Sequence, residues 1–308
     1  MADGSGDGVD SAGFGEAEAR LVLVAACAAA GLEPAGARML RLGEHAVFRL
    51  TSVPLIVRVG RSVDYLGAAR QELAVSAWLN SSGVPTVRAA EVDADQPLIV
   101  DDRVVVFWRT SGSGDDYGTT DELATTLRRM HALVPPVGLV LPAFTPFGRS
   151  SRRLDDAAHL DPADRSYLLH RVGVLDDAYR GLRFALPPGP IHGDANVGNL
   201  LHDDDGTPVL IDLDGFATGP REWDLILTAM YYDLYGWHSA DEYAAFVDGY
   251  GFDVMSWDGY HVLRDVRETM MVVWMAQNIG NDDRTAAEFA KRMRALRTGA
   301  SRRDWAPF

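Results

Sequence analysis

Residues 191–214 read I-H-G-D-A-N-V-G-N-L-L-H-D-D-D-G-T-P-V-L-I-D-L-D. The end of an apolar strand leads through a polar loop into a second apolar strand, and this crowds together three groups suited to a metal ion and a hydroxyl: Asp194, Asn199 and Asp212. Moving a phosphoryl group off ATP requires a divalent metal to neutralise its oxygens, and Mg²⁺ takes hard oxygen ligands, usually one or two carboxylates with phosphate and water. Asp212 and Asn199 can supply such oxygens. The attacking hydroxyl needs a positioned carboxylate to orient it and accept its proton, and Asp194, between a glycine and a short polar turn, is placed for that. The five-residue step from Asp194 to Asn199 lets one loop present both.

His192, Gly193, Asp194 and Asn199, followed by Ile211, Asp212, Asp214, Gly219, Asp224 and Leu225, carry a resemblance. The chain resembles the aminoglycoside phosphotransferase and choline kinase relatives of protein kinases, whose catalytic loop reads H-G-D-x-x-x-x-N and whose metal strand reads I-D-x-D followed by G-x-x-x-x-D-L. The resemblance implies an α+β, two-lobed, protein-kinase-like fold, with a small antiparallel-sheet N-lobe and a larger, mainly helical C-lobe. It also implies ATP and Mg²⁺ as cofactors, a catalytic Asp194, and metal ligation by Asn199 and Asp212. Asp214 either binds a second metal or shapes the loop. His192 belongs to the catalytic turn as a support of it rather than as a base. Asp224 sits where a helix begins, so it is expected to cap that helix and to hold the loop by backbone hydrogen bonds.

The chain has 308 residues, 47% of them hydrophobic, enough for one large or two modest domains with a substantial core. Residues 1–15 have too little apolar surface to offset ordering entropy and read as a disordered tail. The nearest approach to a membrane span is L-V-L-V-A-A-C-A-A-A at 21–30, about half the length needed. The single Cys27 cannot form an internal disulfide and reads as a small buried hydrophobe, so a cytoplasmic location is expected. A net charge of −15 argues against nucleic-acid partners and favours a cationic small molecule, although an acidic surface also serves solubility.

Residues 16–30 are strong helix formers that stop at Gly31. Strand-like runs at 37–42, 46–51 and 55–59 follow as an antiparallel meander. Gly43 lies between the first two, where protein kinases cover the phosphates with three glycines; the antibiotic-kinase relatives share the reduction to one. His45 reads as a solvated turn residue with phosphate contact as the second reading. Kinase-like sites grip phosphates with a cation on the third strand held by a glutamate on the next helix. Here those are Arg58 and Glu72, Lys291 being the only lysine of the chain. A helix is expected over 64–80, with strands at 86–92, 97–100 and 103–108. Val106 and Trp108 belong to the last of these, whose backbone, continuing into Arg109, Thr110 and Ser111, would meet the adenine edge in the family geometry. The Gly-rich run after it sets the boundary between an N-lobe at 16–110 and a C-lobe at 111–308.

In the C-lobe, helices are expected at 120–133, with His131 a packed helix residue, at 161–182 from the cap Asp161-Pro162, and at 223–235, 239–250, 258–279 and 283–297. Glu222 to His261 holds eight carboxylates and no Lys or Arg, either a solvated acidic face or a wall for an amine. Trp223, Tyr231, Tyr232, Tyr235 and Trp237 read mostly as core, with stacking on a sugar or an ammonium as the alternative. The leading expectation is a kinase of a small-molecule hydroxyl, on an aminoglycoside or another amino-sugar antibiotic. The alternatives are a metabolite acceptor such as choline, a sugar or an amino alcohol, and an idle nucleotide-binding module. Against the last stands the joint presence of Asp194, Asn199 and Asp212.

Overall fold

The computed structural model describes residues 14–43, 45–112, 114–280 and 282–307. The expected tail falls outside them except for Phe14 and Gly15, which belong to the folded unit. Phe14 packs on the core under the guanidinium of Arg103, and Gly15 is the N-cap of the first helix. The chain divides into two compact units between Gly114 and Asp115, where the sequence places the boundary after residue 110.

The first unit contains helix α1 (Glu16–Ala29), strands β1 (Arg38–Leu42), β2 (His45–Arg49) and β3 (Leu55–Gly60), helix α2 (Leu66–Ser81), and strands β4 (Leu98–Val100) and β5 (Arg103–Arg109). The strands form one antiparallel sheet in the order β1-β2-β3-β5-β4. Side chains alternate across a strand, so Val105 and Phe107 of β5 join the core beneath α1, while Val104, Val106 and Trp108 join Ala69 and Leu73 of α2 on the other face. Burial on both faces is why β5 reads as an unbroken apolar run. The same alternation puts Val57 and Val59 of β3 beneath α1 and Ile56 with α2, so Arg58 shares the α2 face. The strand expected at 86–92 does not form. Pro85 has no N–H to add to a ladder, and the segment meets β5 in a single antiparallel bridge, Ala89 opposite Trp108, with Ala90 N–H donating to Phe107 O (2.9 Å), Arg109 N–H to Arg88 O (2.8 Å) and the Arg109 side chain to Glu91 (3.2 Å).

The second unit contains helices α3 (Thr120–His131), α4 (Ser150–Asp156) and α5 (Pro162–Arg180), short strands β6 (Gly189–Ile191), β7 (Leu200–His202), β8 (Pro208–Leu210) and β9 (Ala217–Gly219), and helices α6 (Glu222–Met230), α7 (Ala240–Tyr250), α8 (Tyr260–Ala276) and α9 (Asp283–Thr298). α3 packs on α7 and α5 on α8. Asp161 caps α5 by accepting the N–H of Ala163 (2.8 Å), with Pro162 in the first turn as the sequence predicts. The sequence gives no sign of α4. The helix expected over 223–235 is α-helical only to Met230; a π-turn at Tyr231–Tyr235 follows, closed by Gly236 in the left-handed conformation. Such turns often mark functional segments. Cys27 is fully buried, and burial pushes its thiol up to about 11. Among the described residues no helix is long and apolar enough to cross a membrane.

Candidate active site

Two nested hairpins build the site. β6 pairs with β9, setting Ile191 opposite Ala217, and within that pair β7 pairs with β8, setting Leu200 opposite Leu210. The loops 192–199 and 211–216 are therefore brought side by side, and Ile211 N–H donates to Asn199 O at 3.0 Å. Asp212 is the next residue along, so the spacing seen in the sequence becomes proximity in space. The close approach requires Gly193: its φ is +88°, and a Cβ there would run into the Gly215 carbonyl. Asp212 is itself left-handed, with φ 62° and ψ 59°, which costs a non-glycine residue roughly 1 kcal/mol or more and tends to collect at functional sites.

The Asp194 carboxylate is about half exposed (47%). Asn199 donates Nδ2–H to the Asp194 carbonyl at 2.8 Å, and Asn196 does the same at 3.0 Å. With its nitrogen so occupied, Asn199 keeps its amide oxygen for a cation. Among the described residues no three His, Cys, Asp or Glu side chains group into a metal site. The donor set nonetheless fits Mg²⁺ carried in by a nucleotide, a case in which one carboxylate and one neutral oxygen suffice because phosphates and water complete the shell. Asn199 and Asp212, the latter exposed, would hold it, and the ion would neutralise phosphate oxygens there. Asp214, also exposed, lies in the turn just after Asp212.

His192 is fully buried with both ring nitrogens engaged: Nε2 with Ile211 O at 2.9 Å and Nδ1 with Asp194 N–H at 3.3 Å. The two contacts let the ring tie the two loops together. Asp224 holds the loop from behind. Its carboxylate accepts His192 N–H (2.7 Å), Gly193 N–H (2.9 Å) and His131 Nε2 (2.9 Å), and His131 Nδ1 meets Tyr250 OH at 2.8 Å. Burial pushes the Asp224 carboxyl up, but the hydrogen bond and charge of His131 with the backbone donor more than offset it, leaving it below the usual range. The expected capping role is thus corrected. α6 begins at Glu222, and the Asp224 side chain serves another loop rather than its own helix. His131 is a packed helix residue, as expected, with a structural partner.

Sequence reasoning missed Arg267 on α8. Its Nη2 donates to Asp194 Oδ1, its Nη1 lies 3.4 Å from Gly193 O, and its guanidinium carbon is 5.3 Å from the Trp223 ring centre. Trp223 in turn donates Nε1–H to Gly193 O at 2.8 Å. The available signal was one arginine on the stripe of Leu263 and Met271, four residues to either side. Burial raises the Tyr231 hydroxyl, with Arg267 lowering and Asp194 raising it, so this ring lies within electrostatic reach of both. The acidic stretch is partly occupied by structure. Glu222 accepts the N–H groups of Ala185 and Leu186 (both 2.7 Å), Glu242 closes the capping box of α7, Asp253 accepts Tyr243 OH (2.7 Å) and Asp233 accepts Tyr260 OH (2.9 Å). Trp223 and Tyr235 are core, whereas Tyr231, Tyr232 and Trp237 keep partial exposure.

In the first unit, Arg58 forms a two-pronged ion pair with Glu72, one arm at 2.9 Å, with only 14% and 3% of the two side chains exposed. Gly43 donates its N–H to His45 O (3.0 Å), and its own carbonyl accepts Arg61 Nε–H (2.8 Å). Its backbone is therefore engaged within the turn. His45 is not the solvated turn residue expected. It opens β2, stacks edge-on against Tyr65 at 4.9 Å, and has a buried, unpartnered Nδ1. Burial, with the charges of Arg58, Arg41 and Arg61, lowers it to about 3, so the ring is neutral near pH 7. Val106 and Trp108 are buried. The N–H groups of Phe107, Arg109 and Thr110 donate to Gln96, Arg88 and Pro54.

The profile of the phosphotransferase enzyme family matches residues 39–266. A probable ketoamine kinase of Lactiplantibacillus plantarum is 37% identical over 94 residues, 30% of this chain and 31% of that protein. The match thus spans under a third of that relative. Similar solved structures include an amicoumacin kinase in complex with AMP-PNP and Ca²⁺ (TM-score 0.69, 15% identity, 94% of this chain and 98% of that one). A microcompartment-associated aminopropanol kinase (0.68, 19%, 89% and 94%) and a choline kinase from Streptococcus pneumoniae (0.65, 16%, 90% and 98%) are further examples. Identities this low carry the fold alone, and it is the kinase-like α+β fold expected.

Proposed function

The chain belongs to the phosphotransferase enzyme family, and on that footing we propose that it transfers the γ-phosphoryl group of ATP, with Mg²⁺, to a hydroxyl of a small molecule that also carries an amine. The observation behind this reading is the placement of Asp194 and Asn199 on one loop, with Asp212 directly following the residue hydrogen-bonded to Asn199. Asp194 orients the acceptor hydroxyl and takes its proton, Asn199 and Asp212 hold the metal, and Arg58, braced by Glu72, grips phosphate oxygens bidentately. His192 and Asp224 keep the loop in shape.

An amine on the acceptor is supported by the absence of Lys and Arg from residues 222–263, which leaves an attractive field for cations. The uncommitted part of that field is smaller than the sequence suggests, because several of its carboxylates already hold the fold together. Aminoglycosides and amino-sugar antibiotics lead the acceptors. The short stretch shared with a ketoamine kinase favours a second reading, an amino-alcohol or ketoamine metabolite. The test is a panel of aminoglycosides, amino sugars, choline, aminopropanol, a ketoamine, neutral sugars and nucleosides, assayed for ADP release at low and high salt. Turnover concentrated in the amine-bearing members, with KM rising as salt screens the field, is the expected result. Efficient, salt-insensitive phosphorylation of a neutral compound would overturn the amine assignment.

A further inference from the structure

The catalytic turn from His192 to Asn199 contains no Lys or Arg. A carboxylate that receives a hydroxyl beside a transferring phosphoryl group nevertheless stands close to an anion of its own sign, and such repulsion grows as water is excluded. α8 supplies a cation at that point. The Arg267 side chain is only 12% exposed and is fixed by three groups: the Trp223 ring, the Gly193 carbonyl and Asp194 Oδ1. It takes one carboxylate oxygen. The other, Oδ2, stands 3.5 Å from Asn199 Nδ2.

We propose that Arg267 is the positioning residue of phosphoryl transfer. It holds Asp194 Oδ1, so that Oδ2 is the oxygen presented to the acceptor hydroxyl, and its charge offsets the repulsion between that carboxylate and the γ-phosphoryl group. The hydroxyl oxygen bonds to phosphorus as the bond from phosphorus to the bridging oxygen of ADP breaks. ADP leaves with that electron pair, and the hydroxyl proton passes to Oδ2. The assignment rests on the role proposed for Asp194, which Arg267 modifies without touching substrate.

A double-mutant cycle on the full chain separates this from a packing role. Arg267→Met keeps the apolar stem over Trp223 and removes the charge, Arg267→Lys restores charge without the planar fork, and each is made alone and with Asp194→Asn. Arg267→Met is expected to lower kcat on the order of 10²-fold, the size of losing one preorganised electrostatic partner, with KM for ATP changed less than about 3-fold. Arg267→Lys should recover about tenfold of that loss. In the Asp194→Asn background, Arg267→Met should change kcat less than about 3-fold, because a residue acting through Asp194 has nothing left to act on. Additive losses, a kcat near wild type for Arg267→Met, or no recovery by Arg267→Lys would overturn the proposal. If Arg267→Met is not obtained folded, the same cycle with Arg267→Lys is judged on additivity. Should Asp194→Asn alone retain full turnover, the failure lies with the function proposed above rather than with Arg267.

Discussion

In the proposed function Asp212 and Asn199 would hold the same ion with different chemistry, one a formal charge and the other a neutral amide oxygen. A carboxylate bridging metal and phosphate contributes more than an amide dipole, so Asp212→Ala should weaken Mg²⁺-dependent binding of a non-hydrolysable ATP analogue more than Asn199→Ala. Metal titrations followed by calorimetry measure both, and equal or reversed losses would remove the assignment. That these residues come together was legible in the sequence, because Asp194 and Asn199 share one loop and the following strand runs into Asp212. Arg267 was not, since its role depends on which helix stripe faces Asp194 from 73 positions away. His45 was misread for a related reason. Whether a turn histidine is solvated depends on Tyr65 and three arginines that the fold, and not the local sequence, gathers around it.

The hairpins that carry the site are short and are held from outside themselves. Asp224 of α6 fixes two loop N–H groups and His131 of α3. Asp224→Ala would strand all three donors in a buried place, so a loss of about 3–5 kcal/mol is expected in denaturant unfolding, the scale for removing one member of a buried pair. A second brace lies at β7, where His202 meets Asp116 (3.2 Å) and Glu122 (3.0 Å). Hydrogen bonds donated by the ring to Asp116 and then to Glu122 raise its pKa above the ordinary 6.5. A raised value means that the brace stabilises fully below about pH 6.5 and fades as pH climbs through the folded-state value. The gap in melting temperature between wild type and His202→Gln should therefore be largest near pH 6 and shrink as pH rises; a gap that widens with pH would contradict the assignment. Strands and helices with strong periodicity, such as β5 and α5, were legible from their patterns and caps. The segment 86–92 and the π-turn after Met230 were not, because β-branched content and helix propensity leave open whether a ladder partner or an α-helical turn is present.

At the scale of the whole molecule, the kinase-like fold consists of two units. One carries the Arg58–Glu72 pair and the other the loop with Asp194. The matched catalytic and metal motifs made that architecture readable from the chain alone, whereas the acidic stretch 222–261 leaves the acceptor open, because several of its carboxylates serve the fold. The proposed transfer depends on Asp194 as the group that orients the hydroxyl and takes its proton. Asp194→Asn keeps shape and hydrogen-bonding capacity while removing the base. The deciding measurement is transfer of label from γ-labelled ATP to an amine-bearing acceptor by wild type and Asp194→Asn, at matched occupancy of the nucleotide. A fall in transfer of about 10²-fold or more with nucleotide affinity retained is predicted; label transfer by Asp194→Asn at the wild-type rate would contradict it.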